Sequence, residues 1–429
     1  MMKHRIFQNI SWLFVDKIIR ILGGLFIGVW IARYLGPRDY GILNYSLAYA
    51  SLFTIFVRFG FDQIIVREVV KRPKLTGYFL GTAFGLKLIG SIIAIIGILI
   101  SLYFFEANAT IRIVTFIISL GFVFQSLDVI DFFYQSQMLS RYVVIARNIA
   151  FIFGMLLKIY LIVYKYEVVY FAFALTFDIA VASFFLIFIY KKTHHELRKW
   201  RFNKRIAKQL VVFAWPIAIS VFLVSIIVRI DQVMIGNMLN HEQVGIYSVA
   251  VRLVEAWIFV PSIIISTLMP HLVHIRESNY ALYEFRLMQL YSLMIWMGVV
   301  VGFLVICFGD QIIRQLFGEN YAGAYGALIY NIWAVTFMSL GMARSIWVIS
   351  ENLQKYRLYN NMISVAVNVT LNALLIPVLG IAGAAIATVA NQALGVFVFS
   401  FIWKPYRPST IAIIRSINPY YLFSIRHYL

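Results

Sequence analysis

Twelve long apolar runs constrain this chain more than any motif in it. They fall at roughly 10–34, 41–65, 77–104, 111–137, 142–164, 167–190, 209–237, 244–272, 286–309, 324–349, 356–376 and 380–403. About 20 apolar residues at 1.5 Å rise cross the ~30 Å hydrocarbon core of a bilayer. Inside that core backbone polar groups must be satisfied within the protein, so runs of this length are expected to be helices. The first two are joined by Arg33-Tyr34-Leu35-Gly36-Pro37-Arg38-Asp39-Tyr40-Gly41, whose Gly-Pro pair reads as the turn of a helix hairpin. Composition agrees, with 62% hydrophobic and 13% charged residues against roughly 45–50% and 25% in soluble domains. An all-α integral membrane protein of about twelve transmembrane helices is expected. The first run starts within ten residues of Met1 with no small-residue cleavage site behind it, so it is expected to be a retained helix.

The first hairpin has an echo half a chain later. Ile31, Leu35, Gly41 and Ile42 recur in register as Ile235, Leu239, Gly245 and Ile246, an offset of 204. A second echo pairs Leu139-Ser140-Arg141-Tyr142 with Leu353-Gln354-Lys355-Tyr356 at an offset of 214. Six spans per half keep both halves in one orientation. The expectation is two parallel-repeat six-helix bundles around a central cavity, related by an axis along the membrane normal. The bundles would occupy residues 1–190 and 209–403, with a basic cytoplasmic linker at 191–208 and a cytoplasmic tail at 404–429.

The net charge of +19 does not point to nucleic acid, because the basic residues sit in alternate loops and no nucleic-acid domain is visible. Twenty-three Lys and Arg fall on one side of the spans and five (Arg33, Arg38, Arg112, Lys165 and Arg314) on the other. The positive-inside rule then puts both termini in the cytoplasm. The densest run, Lys191 to Arg201, reads as an anchor on anionic lipid. Its adjacent His194 and His195 make a poor metal site. The tail, Lys404 to Leu429, mixes aromatic with basic residues and suits a short interfacial segment. A single cysteine, Cys307, rules out a disulfide framework.

Nine basic residues remain inside spans, and six acids there are weighed as their companions. Such groups are costly at membrane depth and usually face a bundle interior or a wet cavity. The candidates to bind substrate are Lys17, Arg20, Arg58, Lys87, Arg147, Arg229 and Arg252. The candidates to couple an ion, or to partner those cations, are Asp16, Asp128, Asp131, Asp178, Asp231 and Glu255. Asp16 and Arg20 share a helix face, as do Asp128 and Asp131, where like charges favour holding a proton. Lys87 and Asp178 lie near mid-span. Arg147, Lys158 and Arg344 are near enough to span ends to snorkel. Arg252 and Glu255 could pair locally, whereas Arg229 and Asp231, two apart, must each look elsewhere. Even with every acid paired, three cations need water or an anionic ligand.

No catalytic constellation accompanies these charges: there is no P-loop, no H-E-x-x-H and no nucleophile elbow. External loops of at most about fifteen residues leave no platform for a membrane polymerase. Asp16-Lys17-Ile18-Ile19-Arg20, the Ala32–Gly41 stretch, Gly60 and Arg67-Glu68 resemble the opening of bacterial polysaccharide-transporter flippases. Arg229-Ile230-Asp231-Gln232, Gly245–Leu253, Pro261 and Pro270 resemble that family's seventh and eighth helices. The family belongs to the multidrug/oligosaccharidyl-lipid/polysaccharide exporter superfamily. The resemblance implies a non-enzymatic transporter in the bacterial inner membrane. It would move an oligosaccharide repeat unit (an O-antigen unit, for instance) on undecaprenyl pyrophosphate from the inner to the outer leaflet. It implies no cofactor, and polysaccharide polymerases as partners. An excess of intramembrane cations suits a diphosphate and opposes the alternative of a cationic-drug antiporter from the same superfamily.

Overall fold

The computed structural model describes residues 2–193 and 196–423; for 2–18, 21–22, 400 and 423 it describes the helix but not the side chains. Among the described residues the regular structure is entirely helical. In order, the helices are α1 (Met2–Ser51), α2 (Thr54–Arg58), α3 (Phe61–Lys71), α4 (Thr76–Phe105), α5 (Ala109–Gln125), α6 (Val129–Ser136), α7 (Ser140–Val163) and α8 (Val168–Lys192). They continue with α9 (Lys204–Met238), α10 (His241–Ser278), α11 (Tyr280–Phe317), α12 (Ala324–Ser350) and α13 (Gln354–Phe397). Three short helices close the chain: α14 (Phe399–Ile402), α15 (Arg407–Arg415) and α16 (Tyr420–Phe423).

Nine helices of the described chain are each long and apolar enough to cross a membrane, and Gly23–Ser51 with Thr54–Lys71 forms one further pair, bent by 51°. Two of these elements hold a pair of spans. In α1 the helical dihedrals break at Gly36, φ 70°, a value glycine adopts freely, and Pro37 restarts the helix. Arg20 and Arg58, which a straight helix would hold more than 50 Å apart by rise alone, line one pocket. In α13 the break is Gly380, φ 60°, and Ser364 Oγ hydrogen-bonds Asn391 Oδ1 at 2.9 Å across it. Dividing both at their glycines gives the twelve spans expected from hydropathy.

The chain forms two compact units that meet in the sequence at Ile230 and Asp231, within α9. In the first unit, Phe61, Ile65, Phe79, Val129, Phe133 and Tyr190 share a core with Leu210 and Ala214 from the start of α9. In the second, Tyr283, Tyr291, Met294, Leu340, Trp347 and Tyr406 form the corresponding core. The 214-residue echo is a structural repeat: Met138 and Asn352 both sit in left-handed backbone, φ 55° and 57°. Leu139 N–H donates to Tyr134 O, and Leu353 N–H to Val348 O, each at 2.9 Å.

One expectation changes, and two segments gain detail. Within the basic linker, residues 199–203 pack on the first turns of α4. The tail folds against its own unit, with Tyr406 and Ile413 in the core and Ser409 Oγ 3.2 Å from Tyr291 OH. Arg344 does not snorkel: it is 5% exposed and donates to Val396 O at 2.8 Å and to Thr410 Oγ1 at 3.3 Å, an oxygen supplied by the tail.

Candidate functional site

The first unit contains a pocket of about 340 Å³ into which α1, α2, α5, α7 and α8 each bring polar groups. Arg20, Arg58 and Arg147 line it with Gln125, Ser183, Asp128 and Asp178. Its shape depends on a break in the second span. Phe59 and Gly60 both take positive φ, 46° and 67°, ending α2 directly after Arg58. α2 also lies tight on α4, because Gly90 has no Cβ to meet the Phe56 carbonyl oxygen.

Each acid at this site already has a cation. Asp178 Oδ2 accepts from Lys158, which is 8% exposed, and Gly154 leaves the space that the Asp178 carboxylate fills. Arg147 Nη2 donates to Asp131 Oδ2 at 2.6 Å, and Gln135 Nε2 to Asp131 Oδ1 at 2.9 Å. Lys87 Nζ is 3.9 Å from Asp128 Oδ2 and 5.2 Å from the centre of the Phe132 ring. With 2% exposure, Lys87 stands behind Asp128 and does not line the pocket. The two aspartates that sequence spacing paired as like charges are thus separately neutralised from α4 and α7. Arg58 is exposed and makes no ion pair with a described carboxylate. A surface with three arginines, an amide and a hydroxyl can hold a polyanion through several charge-assisted hydrogen bonds.

A second polar cluster lies in the second unit around Asp231, 4% exposed. Tyr247 OH donates to its Oδ2 at 3.0 Å, Thr388 Oγ1 to the same oxygen at 2.6 Å, and Asn372 Nδ2 to Oδ1 at 2.7 Å. Asn372 Nδ2 also contacts Asn368 Oδ1 at 3.3 Å. Asp231 forms no ion pair with a described cation, and the Asn372 Oδ1 meets no donor among the described residues.

Of the remaining candidates, Arg229 is half-buried on α9, Arg252 half-buried on α10 and Glu255 exposed on α10; none lines the first unit's pocket. Asp16 and Lys17 fall outside the residues with described side chains, and His194 and His195 outside the described residues. The sequence reading missed Gln125, Ser183, Tyr247, Asn368, Asn372 and Thr388. A signal was present for two of them: Asn368 and Asn372 are four apart in an apolar run, on one helix face.

The profile of a family described as "Polysaccharide biosynthesis protein" matches residues 6–276. The capsular polysaccharide biosynthesis protein CapF of Staphylococcus aureus is 22% identical over 407 residues, covering 92% of this chain and 99% of CapF. Among solved structures, the lipid II flippase MurJ in an inward closed conformation superposes with a TM-score of 0.73 at 15% identity, over 97% of this chain and 94% of that one. An inward-facing multidrug resistance MATE family transporter gives 0.71 at 15% identity, over 95% and 99%. At these identities the superpositions speak for the fold alone.

Proposed function

The chain belongs to the polysaccharide biosynthesis protein family, in the polysaccharide-transporter branch of the multidrug/oligosaccharidyl-lipid/polysaccharide exporter superfamily, and from that premise we propose that it flips an undecaprenyl-pyrophosphate-linked oligosaccharide from the inner to the outer leaflet of the cytoplasmic membrane. The observation that carries this reading is the convergence of Arg20, Arg58 and Arg147 on one pocket of the first unit. Asp178 and Asp131 are already engaged by Lys158 and Arg147, so the pocket keeps a cationic surplus that a diphosphate would satisfy. Arg58 is the principal phosphate ligand in this reading. Arg20 and Arg147 are its flanks, and Lys87 positions Asp128. No catalytic role is assigned to any residue.

The Asp231 cluster supports ion coupling. An ionised carboxylate is expensive to bury without a cation, and three hydrogen bonds hold this one in place without supplying that charge. A proton or a small hard cation would supply it, and the carbonyl oxygens of Asn368 and Asn372 suit the latter. Asp231 is therefore assigned the coupling ion, with Tyr247 and Thr388 as orienting donors.

Reconstituted protein and a fluorescent undecaprenyl-pyrophosphate sugar, with leaflet assignment by a membrane-impermeant quencher, test both assignments. Arg58→Ala is expected to slow flipping at least tenfold at unchanged abundance, and Arg58→Lys to retain part of the rate. Asp231→Asn is expected to remove the dependence of the rate on an imposed ion gradient while leaving substrate binding intact. Arg58→Ala flipping at the wild-type rate would overturn the substrate assignment.

A further inference from the structure

The segment between the two halves is held as a strap, and the strap joins two basic stretches into one surface. Gly77 and Gly81 form the shelf on which it lies: a Cβ on Gly77 would stand 2.5 Å from Lys199 O, and one on Gly81 2.5 Å from Arg201 N. Arg201 N–H donates to Gly77 O at 3.2 Å, and Asn203 N–H to Thr82 Oγ1 at 3.0 Å. Trp200 pins the middle, its Nε1 donating to Tyr190 OH at 3.2 Å and its ring packed against Phe84 and Tyr190 at 5.7 and 5.9 Å.

Docked in this way, the strap adjoins the turn between α3 and α4. All twelve Lys and Arg side chains of residues 67–74 and 191–208 are exposed. The two acids do little to offset them. Glu68 is buried beneath Arg67 and Arg72 at 2.9 and 3.9 Å, and Glu196 is taken by Lys199 at 3.6 Å. Three large apolar side chains in or next to these stretches are also exposed: Val70 at 58%, Leu75 at 38% and Phe202 at 51%.

We propose that this strap-assembled face of the first unit is a binding surface for anionic phospholipid, on the side that the positive-inside rule assigns to the cytoplasm. Cations alone would suit any polyanion. Cations interspersed with exposed Val, Leu and Phe side chains match a bilayer interface, where phosphates lie just above acyl chains. A soluble acidic protein offers the first chemistry without the second. Because the strap is seated on glycines, its charges are held beside the start of α4 before any lipid arrives, which reduces the ordering cost of binding.

The test uses the full-length protein in detergent, titrated with phosphatidylglycerol or phosphatidylcholine. Thermal unfolding and native mass spectrometry report bound lipid. Phosphatidylglycerol is expected to raise the midpoint and to remain bound, in a manner that weakens with added salt, while phosphatidylcholine does neither. Arg198→Gln, Lys199→Gln and Arg201→Gln together are expected to weaken phosphatidylglycerol binding roughly 100-fold, since each cation near a surface contributes about 1 kcal/mol. Gly81→Val keeps every charge but unseats the strap, and is expected to weaken binding as well. If Gly81→Val does not fold, the triple variant decides. The proposal is overturned if the two lipids bind alike, if the triple variant retains its affinity within threefold, or if polyglutamate displaces phosphatidylglycerol at equal charge concentration.

Discussion

Ionisable residues in this chain are organised by contacts between helices, and helical spacing reports only contacts within one. Asp128 and Asp131 share a helix face in the sequence, yet Lys87 and Arg147 reach them from different spans. Lys158, read as a snorkelling lysine, is held inside by Asp178. Breaking a buried ion pair from one side strands the other charge, at a cost of about 3–5 kcal/mol. Lys158→Met is expected to destabilise the protein by that order in a denaturant or thermal melt, and Lys158→Met with Asp178→Leu to recover much of the loss. A single variant as stable as the wild type would show that water already screens Asp178. The surplus of cations over acids was legible from composition. Which cations line the pocket was not, because that depends on the break at Phe59-Gly60 and on where five helices converge.

At the scale of elements, hydropathy located the spans but not their ends. The second run was expected to stop at 65, whereas α3 continues to Lys71, because a helix that leaves the hydrocarbon needs only a buried face. Its Ile64, Ile65 and Val69 provide one. Gly36-Pro37 was readable as a turn from residue type alone. The Phe59-Gly60 break was not, since Phe59 is ordinarily excluded from left-handed backbone. The contact of α2 with α4 at Gly90 fixes the position of Arg58. Gly90→Val is expected to displace α2 and reduce flipping severalfold more than it reduces melting temperature, as read by parallel transport and thermal-shift measurements. In the second unit, Thr410→Val withdraws one acceptor from buried Arg344. A loss of about 1–3 kcal/mol is expected in the same melt, with α15 becoming more sensitive to protease.

For the whole molecule, the distribution of Lys and Arg over alternate loops fixes an expected orientation. Reporter fusions at Lys199 and in the tail should be cytoplasmic, and fusions near Gly36 and Asn240 external. A fusion at Lys199 that reports the exterior would reverse the orientation. The two units carry different chemistry on the same backbone plan. The first gathers guanidinium groups around a pocket, and the second surrounds one buried carboxylate with amides and hydroxyls. The turns at Met138 and Asn352 agree in φ to within 2°, although methionine and asparagine share no chemistry. A duplicated gene leaves this signature when selection keeps the bends of both copies and lets their side chains diverge. In this chain the bend is common to both units, and the side chains around the pocket and around Asp231 are not.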